Sequence, residues 1–283
     1  MTGFLNIFKG EGVSSTYVVN RIKHLARAVC GQKVPCGHMG TLDPLAEGVL
    51  PVGVGNATRL FDYFLGKEKT YLAHFRFGAT TATLDREGEV ISGGSVPSAS
   101  EIERALPALT GEILQTPPAY SAKSVNGQRS YWLARQGKEV LLEAKAVMVA
   151  SFSLKGQISA DEFEFEITCG GGTDIRSLAR DLALSLGTQG YMTYLCRTKS
   201  GPFLEETAVR LETLTEENLQ DYLIPTDSVL PFPALDVEDE RLYNGVAVAA
   251  DCADGRYKLY RGGEFYGLAA VENGLLRTEK KLC

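Results

Sequence analysis

The chain has 283 residues, 44% hydrophobic and 23% charged, with a net charge of −6, a balance that supports one large core with a small appendage and excludes a disordered or low-complexity chain. No apolar run is long enough to span a bilayer, and the start Met1-Thr2-Gly3-Phe4-Leu5-Asn6 lacks the pattern of a leader, so the expected location is the cytoplasm. Six cysteines without a Cys-x-x-Cys pair and three scattered histidines complete no metal-ligand spacing, so reduced thiols and no metal are expected.

In chain order, Ser14-Ser15 caps a helix predicted to run to about Arg27, with Val18, Ile22 and Leu25 on the inward face and Arg21, Lys23 and Arg27 largely off it. Gly37 to Pro51 reads as a glycine-punctuated loop followed by an apolar run. Pro44 biases Asp43 toward an extended backbone, so its carboxylate is presented by a rigid turn as a candidate acid, base or nucleophile. Lys69 to Phe77 alternates Tyr71, Ala73, Phe75 and Phe77 against Thr70, Leu72, His74 and Arg76, a strand with one apolar face. Read alone, Tyr71 is a core residue of that strand and His74 a cross-strand or surface one.

Ser98-Ala99-Ser100-Glu101 is a capping-box pattern before a helix carrying Ile102, Leu106 and Leu109. Tyr120 to Lys145 is basic, with Lys123, Arg129, Arg135, Lys138 and Lys145 against Glu139 and Glu143. A second alternating strand, Phe163 to Ile167, ends at Gly170-Gly171-Gly172, and a helix follows with Leu178, Leu182 and Leu186 on one stripe and Gly187 as its stop. Arg176 falls in its first turn, where a cation opposes the helix dipole and calls for a compensating partner. Tyr194 to Thr198 reads as a short strand ended by Gly201-Pro202.

Glu205 to Asp254 carries thirteen acids against Arg210 and Arg241, so the rest of the chain is net positive and suited to a polyanion. Beyond Pro231-Phe232-Pro233, short runs at Tyr257 to Tyr260, Phe265 to Ala270 and Leu275 to Thr278 predict a small, partly barrel-like β domain. Strands interleaved irregularly with helices make the fold class α+β.

Gly37-His38-Met39-Gly40-Thr41-Leu42-Asp43-Pro44-Leu45-Ala46-Glu47-Gly48-Val49-Leu50-Pro51 closely resembles the signature of the TruB family of tRNA pseudouridine synthases. Lys69-Thr70-Tyr71, Pro117 to Lys123, Gly172 to Asp181 and Leu195-Cys196-Arg197-Thr198 follow in the family's order. The resemblance runs from about Asn6 to Phe203 and continues more faintly toward the C-terminus. It implies a pseudouridine synthase fold with a central mixed, largely antiparallel sheet flanked by helices over residues 1–232, and a short PUA-like β domain over 233–283.

By the same resemblance, the expected activity is conversion of uridine to pseudouridine at position 55 in the T loop of tRNA, on a flipped-out nucleotide. No cofactor and no guide RNA are expected, and the protein is expected to be monomeric. Asp43 matches the catalytic aspartate, as nucleophile or base. Tyr71 matches the aromatic that stacks on the target base, and Arg176 the arginine that keeps the aspartate ionised and oriented. His38, Leu195, Lys69, Lys123 and Arg129 fall on substrate-binding positions, with about 120–145 as the thumb that closes on the stem-loop.

Three positions depart from the pattern: Lys9-Gly10 where Lys-Pro is usual, Met39 where a smaller residue is usual, and Asp174 in place of a tyrosine. Asp174 puts an extra carboxylate near the Asp43–Arg176 pair, where it competes for Arg176 or alters RNA contacts. Two rival readings are an RNA-folding factor of the same fold, and a nucleotide-dependent enzyme built on Gly53-Val54-Gly55, a Gly-x-Gly lacking its third glycine.

Overall fold

A computed structural model describes residues 1–118, 124–125, 128–129 and 143–283. In chain order its first half contains β1 (Gly3–Lys9), α1 (Ser15–Cys30), β2 (Cys36–His38), β3 (Glu47–Val54), α2 (Phe61–Leu65), β4 (Lys69–Phe77), β5 (Ala79–Thr81), β6 (Val90–Ser92), α3 (Ala99–Ala105) and β7 (Gly111–Gln115). After β8 (Ser124–Val125) and β9 (Gln128–Arg129), which pair as a short hairpin, come β10 (Lys145–Gln157), β11 (Glu162–Cys169), α4 (Ile175–Ser185), β12 (Gly190–Ser200), β13 (Phe203–Leu204) and β14 (Val209–Arg210).

Among the described residues ten strands form one sheet, in the order β14-β1-β3-β12-β4-β11-β10-β7, with β2 beside β3 and β13 beside β12. The β1–β14 and β3–β12 pairs are parallel and the other pairs antiparallel. This is the mixed, largely antiparallel α+β architecture expected. Its core lies between the sheet and helices α1 and α4, where Leu5, Ile7, Val52 and Phe75 meet Val18, Ile22, Leu178 and Leu182.

Local chemistry explains the helix boundaries. Ser14 caps α1 by accepting from Tyr17 N, and left-handed Gly31 ends it, one turn beyond the expected Arg27. Ser98 and Glu101 form the predicted capping box of α3, but Pro107 turns the rest of that segment, Leu106–Leu109, into a 3₁₀ helix. Helix α4 stops where expected, at left-handed Gly187.

The expected strand at Tyr194–Thr198 is longer, Gly190–Ser200. The loop expected at the start of Gly37–Pro51 is shorter, because His38 belongs to β2, and the apolar run that follows is part of a strand of the main sheet, Glu47–Val54. Strand β3 is buried on both faces, so no alternation marks it. Gly48 is required there: its φ is +109°, and a Cβ would lie 2.3 Å from the carbonyl oxygen of Arg197 on β12.

The C-terminal part forms an open five-stranded sheet rather than a barrel, in the order β15-β17-β18-β19-β16: β15 (Ala234–Asp236), β16 (Val248–Ala249), β17 (Gly255–Arg261), β18 (Glu264–Glu272) and β19 (Leu275–Lys281). It has a core of its own around Leu242, Leu259 and Val271. A second cluster fastens it to the main sheet, with Leu268 and Leu282 packing with Phe4, Phe64 and Phe203. The small sheet leans on the larger one, as its size demands.

Candidate active site

Asp43 lies in the turn between β2 and β3, and four residues from two distant segments, 9–15 and β12, hold that turn. Ser15 Oγ, at the start of α1, donates to Leu42 O at 2.7 Å and accepts from Leu42 N at 3.0 Å. Gly12 N donates to Pro44 O at 2.8 Å. Arg197, 1% exposed, donates from Nε to Val49 O at 2.7 Å, from Nη2 to Gly40 O at 3.1 Å and from Nη1 to Thr41 O at 3.3 Å.

Lys9 supplies the fourth hold. Its buried ammonium donates to Ala46 O at 2.5 Å, Val13 O at 2.7 Å and Gly10 O at 3.0 Å, one bond for each proton, with Pro44 O farther off at 3.4 Å. Burial pushes its pKa down to about 8, against the opposing pull of Asp43. Lys9 and Arg197 both fall within quoted family motifs, but residue type alone assigns neither of them these carbonyl partners.

Arg176 enters from α4. Asp174 is the N-cap of that helix, accepting from Ser177 N at 3.1 Å, and its backbone N and O bond reciprocally to the Gln115 side-chain amide. Arg176 Nη2 lies 3.3 Å from Asp43 Oδ2 and 3.6 Å from Asp174 Oδ2, while Nη1 lies 3.2 Å from Asp85 Oδ2. The partners that its helix-start position required include, among the described residues, three carboxylates.

Sequence reasoning missed Asp85. It follows left-handed Leu84 (φ +61°), is 3% exposed in its side chain, and accepts from Thr83 Oγ1 at 2.6 Å and Glu87 N at 3.1 Å. Its available signal was a turn pattern, Asp85-Arg86-Glu87-Gly88, with no periodicity to lead back to Arg176.

The electrostatics follow from this sharing. Burial opposes the Arg176 charge, but Asp174, Asp43 and Asp85 outweigh it and raise the guanidinium pKa. For Asp43 the balance goes the other way. Its side chain is 40% exposed, yet that surface faces a concave pocket whose walls displace water. Desolvation raises its pKa; Arg176 pulls it down as expected but does not prevail, with Asp174 and Asp85 adding to the rise.

A cavity of about 520 Å³ opens beside Asp43, lined by Tyr71, Leu195, Leu65, Asp174 and Arg176. Tyr71 is 7% exposed and Leu195 6%; they sit on the neighbouring strands β4 and β12, where Tyr71 lies opposite Arg197 and Leu195 opposite Ala73, and both line the pocket. Burial raises the Tyr71 phenol above its ordinary range, so the ring is held neutral. Lys69 lines an adjoining recess, but its ammonium is engaged by Lys67 O at 2.7 Å and Leu65 O at 3.0 Å. Desolvation lowers its pKa to about 8, with Arg197 acting in the same direction.

His38 is half-buried on β2 and does not line the cavity; among the described residues its enclosed Nδ1 has no side-chain hydrogen-bond partner, and burial lowers its pKa. Lys123 lies outside the described residues, as does most of the 120–145 element. Arg129 is described only as part of β9. Among the described residues no three His, Cys, Asp or Glu side chains gather to hold a metal ion, and no helix is long and apolar enough to cross a membrane.

A family model described as TruB family pseudouridylate synthase (N terminal domain) matches residues 27–175, which contain Asp43, Tyr71 and Asp85. The chain belongs to the TruB family. A second model, tRNA pseudouridylate synthase B C-terminal domain, matches residues 176–231. The boundary between the two falls inside the first turn of α4, so the Asp43–Arg176 pair of this TruB-family chain is assembled from both. Curated relatives named tRNA pseudouridine synthase B include that of Acaryochloris marina, 40% identical with 99% of this chain and 98% of the relative covered. That of Clostridium kluyveri is 39% identical with 95% of each covered. The structure titled Crystal Structure of a Cbf5-Nop10-Gar1 Complex shares the fold, at TM-score 0.72 and 24% identity over 99% of this chain and 85% of that one.

Proposed function

We propose that this TruB-family chain is a tRNA pseudouridine synthase that isomerises uridine at position 55 of the T loop, acting alone, with Asp43 as its catalytic carboxylate. One observation carries the reading: a carboxylate oriented by Arg176 at 3.3 Å stands at the mouth of a cavity floored by Tyr71 and Leu195. The reaction breaks the bond between N1 of uracil and C1′ of ribose, forms the bond from C5 to C1′, and moves the C5 proton away. It asks for a carboxylate within reach of sugar and base, a surface on which the detached base rests, and walls that retain it.

Asp43 supplies the first demand as nucleophile or base. Tyr71, buried and neutral, offers its ring as a stacking platform, and Leu195 closes the apolar side. His38, neutral and three residues before Thr41 of the pocket rim, is proposed to support the remodelled RNA loop without taking part in chemistry. Lys123 and Arg129 are proposed to contact the RNA backbone, Lys69 to bind substrate from the recess beside the cavity, and the 233–283 sheet to act as a short PUA-like domain. The names of the curated relatives support tRNA as the substrate.

The test is an unmodified tRNA transcript labelled with tritium at C5 of uridine. Label release with the product mapped to position 55 is expected. Turnover at another position corrects the site assignment, and no release from any transcript overturns the reading in favour of an RNA-folding role.

A further inference from the structure

The outward face of α1 plays no part in the chemistry above. Buried Val18, Ile22, Leu25 and Ala26 face the core, and Asn20, Lys23, His24 and Arg27 recur at helical spacing on the exposed side. With Lys33 and Pro35 from the segment after the helix, these residues line a cavity of about 600 Å³.

The charge around it is of one sign. Gly12 to Leu42 holds Arg21, Lys23, Arg27 and Lys33 and not one Asp or Glu, in a chain whose net charge is −6. Some exposed cations elsewhere are matched, Lys155 with Glu166, Lys199 with Glu68, Arg241 with Asp239 and Arg256 with Glu279. Among the described residues no carboxylate pairs with Lys23, Arg27 or Lys33. Clustered, mutually repelling cations around a concavity complement an anion that is itself extended.

The position of the cavity favours the phosphate chain of the same RNA over a small free anion. The N-terminus of α1 is tied to Leu42, next to Asp43, through Ser15. Lys23 and Arg27 stand eight and twelve residues farther along α1, about 12–18 Å at the rise of a helix. The far wall continues through β2 into the Asp43 turn. Cavity and active site are therefore neighbours on one stretch of scaffold.

We propose that Lys23, Arg27 and Lys33 form a phosphate-binding cradle for the RNA backbone flanking the target nucleotide, with Asn20 and His24 as polar walls. This rests on the RNA-modifying reading above. The test compares wild-type protein with the exposed-site variant K23Q/R27Q/K33Q and with the charge-matched control K155Q/K199Q/R241Q, measuring affinity for an unmodified tRNA transcript across a salt series.

At a loss of about 0.7–0.9 in the slope of log affinity against log salt for each phosphate contact, the cradle variant is expected to lose about two units of slope. It is expected to bind about 10- to 100-fold more weakly at physiological salt, with turnover at saturating RNA unchanged and the control close to wild type. Equal slopes in all three proteins overturn the cradle. So does loss of a tight inorganic pyrophosphate site in the cradle variant while its RNA slope stays intact, which assigns the cavity to a small anion. Wild-type protein that binds RNA with the expected slopes but turns over no transcript sinks the synthase reading and leaves the cradle standing.

Discussion

Arg176 reaches Asp43 with the same Nη2 that reaches Asp174, 3.3 Å from one carboxylate and 3.6 Å from the other, while its Nη1 is committed to Asp85. One guanidinium thus joins the proposed catalytic carboxylate to a buried structural one and to a helix cap. The planar fork of arginine makes this possible; a lysine ammonium in its place lacks the geometry.

Asp43→Asn preserves side-chain volume and removes the carboxylate charge proposed to react. Label release from C5 is expected to fall by about 10⁴-fold or more, while affinity for the tRNA transcript stays within a few-fold. Turnover near that of the parent sinks the assignment of Asp43.

Arg176→Ala leaves Asp85 buried at 3% side-chain exposure without its cation. Removing one partner of a buried pair costs about 3–5 kcal/mol, so the denaturation midpoint is expected to drop sharply along with activity. A variant as stable as the parent shows that Asp85 has another means of neutralisation.

Asp174→Asn keeps a side-chain oxygen for the Ser177 amide and removes one of the charges that raise the Asp43 pKa. The acid limb of the pH–rate profile is expected to move to lower pH, because the Asp43 carboxylate then ionises more readily. The stability linkage has the matching sign. A carboxyl whose folded pKa is raised contributes stability that is fully present below its unfolded value and is lost as pH rises through the folded value. The variant is therefore expected to lose less stability than the parent over that window. An acid limb moving upward contradicts the electrostatic account.

Lys9→Met retains the aliphatic stem and strips the donors from Gly10, Val13 and Ala46. Stranded carbonyls and a loosened Asp43 turn are expected to cost about 2–4 kcal/mol and to lower kcat more than they raise KM. Unchanged stability together with unchanged kcat removes Lys9 from the support of the turn.

What was legible in the sequence was chiefly local chemistry. The Ser14 cap, the Ser98–Glu101 capping box, the Gly187 stop and the alternation of β4 each lie within a few residues of what they determine. The Asp43-Pro44 turn was visible, and so was the need of Arg176 for a partner. The partners themselves were not, because Asp85 meets Arg176 across ninety-one residues through a turn without periodicity. Strand β3 was hidden for a related reason: buried on both faces, it shows a continuous apolar run in which period two has nothing to mark. Lys9 and Arg197 were visible as motif residues, but their partners were not, because the main-chain carbonyls they bind converge only once β1, β3 and β12 are assembled.

The holds on the Asp43 turn also impose an order of events on synthesis. Lys9 and Ser15 precede the turn in the chain, but Arg176 and Arg197 follow it by more than a hundred residues. At a ribosomal pace of about 5–20 residues per second, the aspartate emerges many seconds before its aligning arginines exist. A nascent chain therefore carries the signature loop without an oriented carboxylate, and catalytic competence arrives late, as β12 docks between β3 and β4.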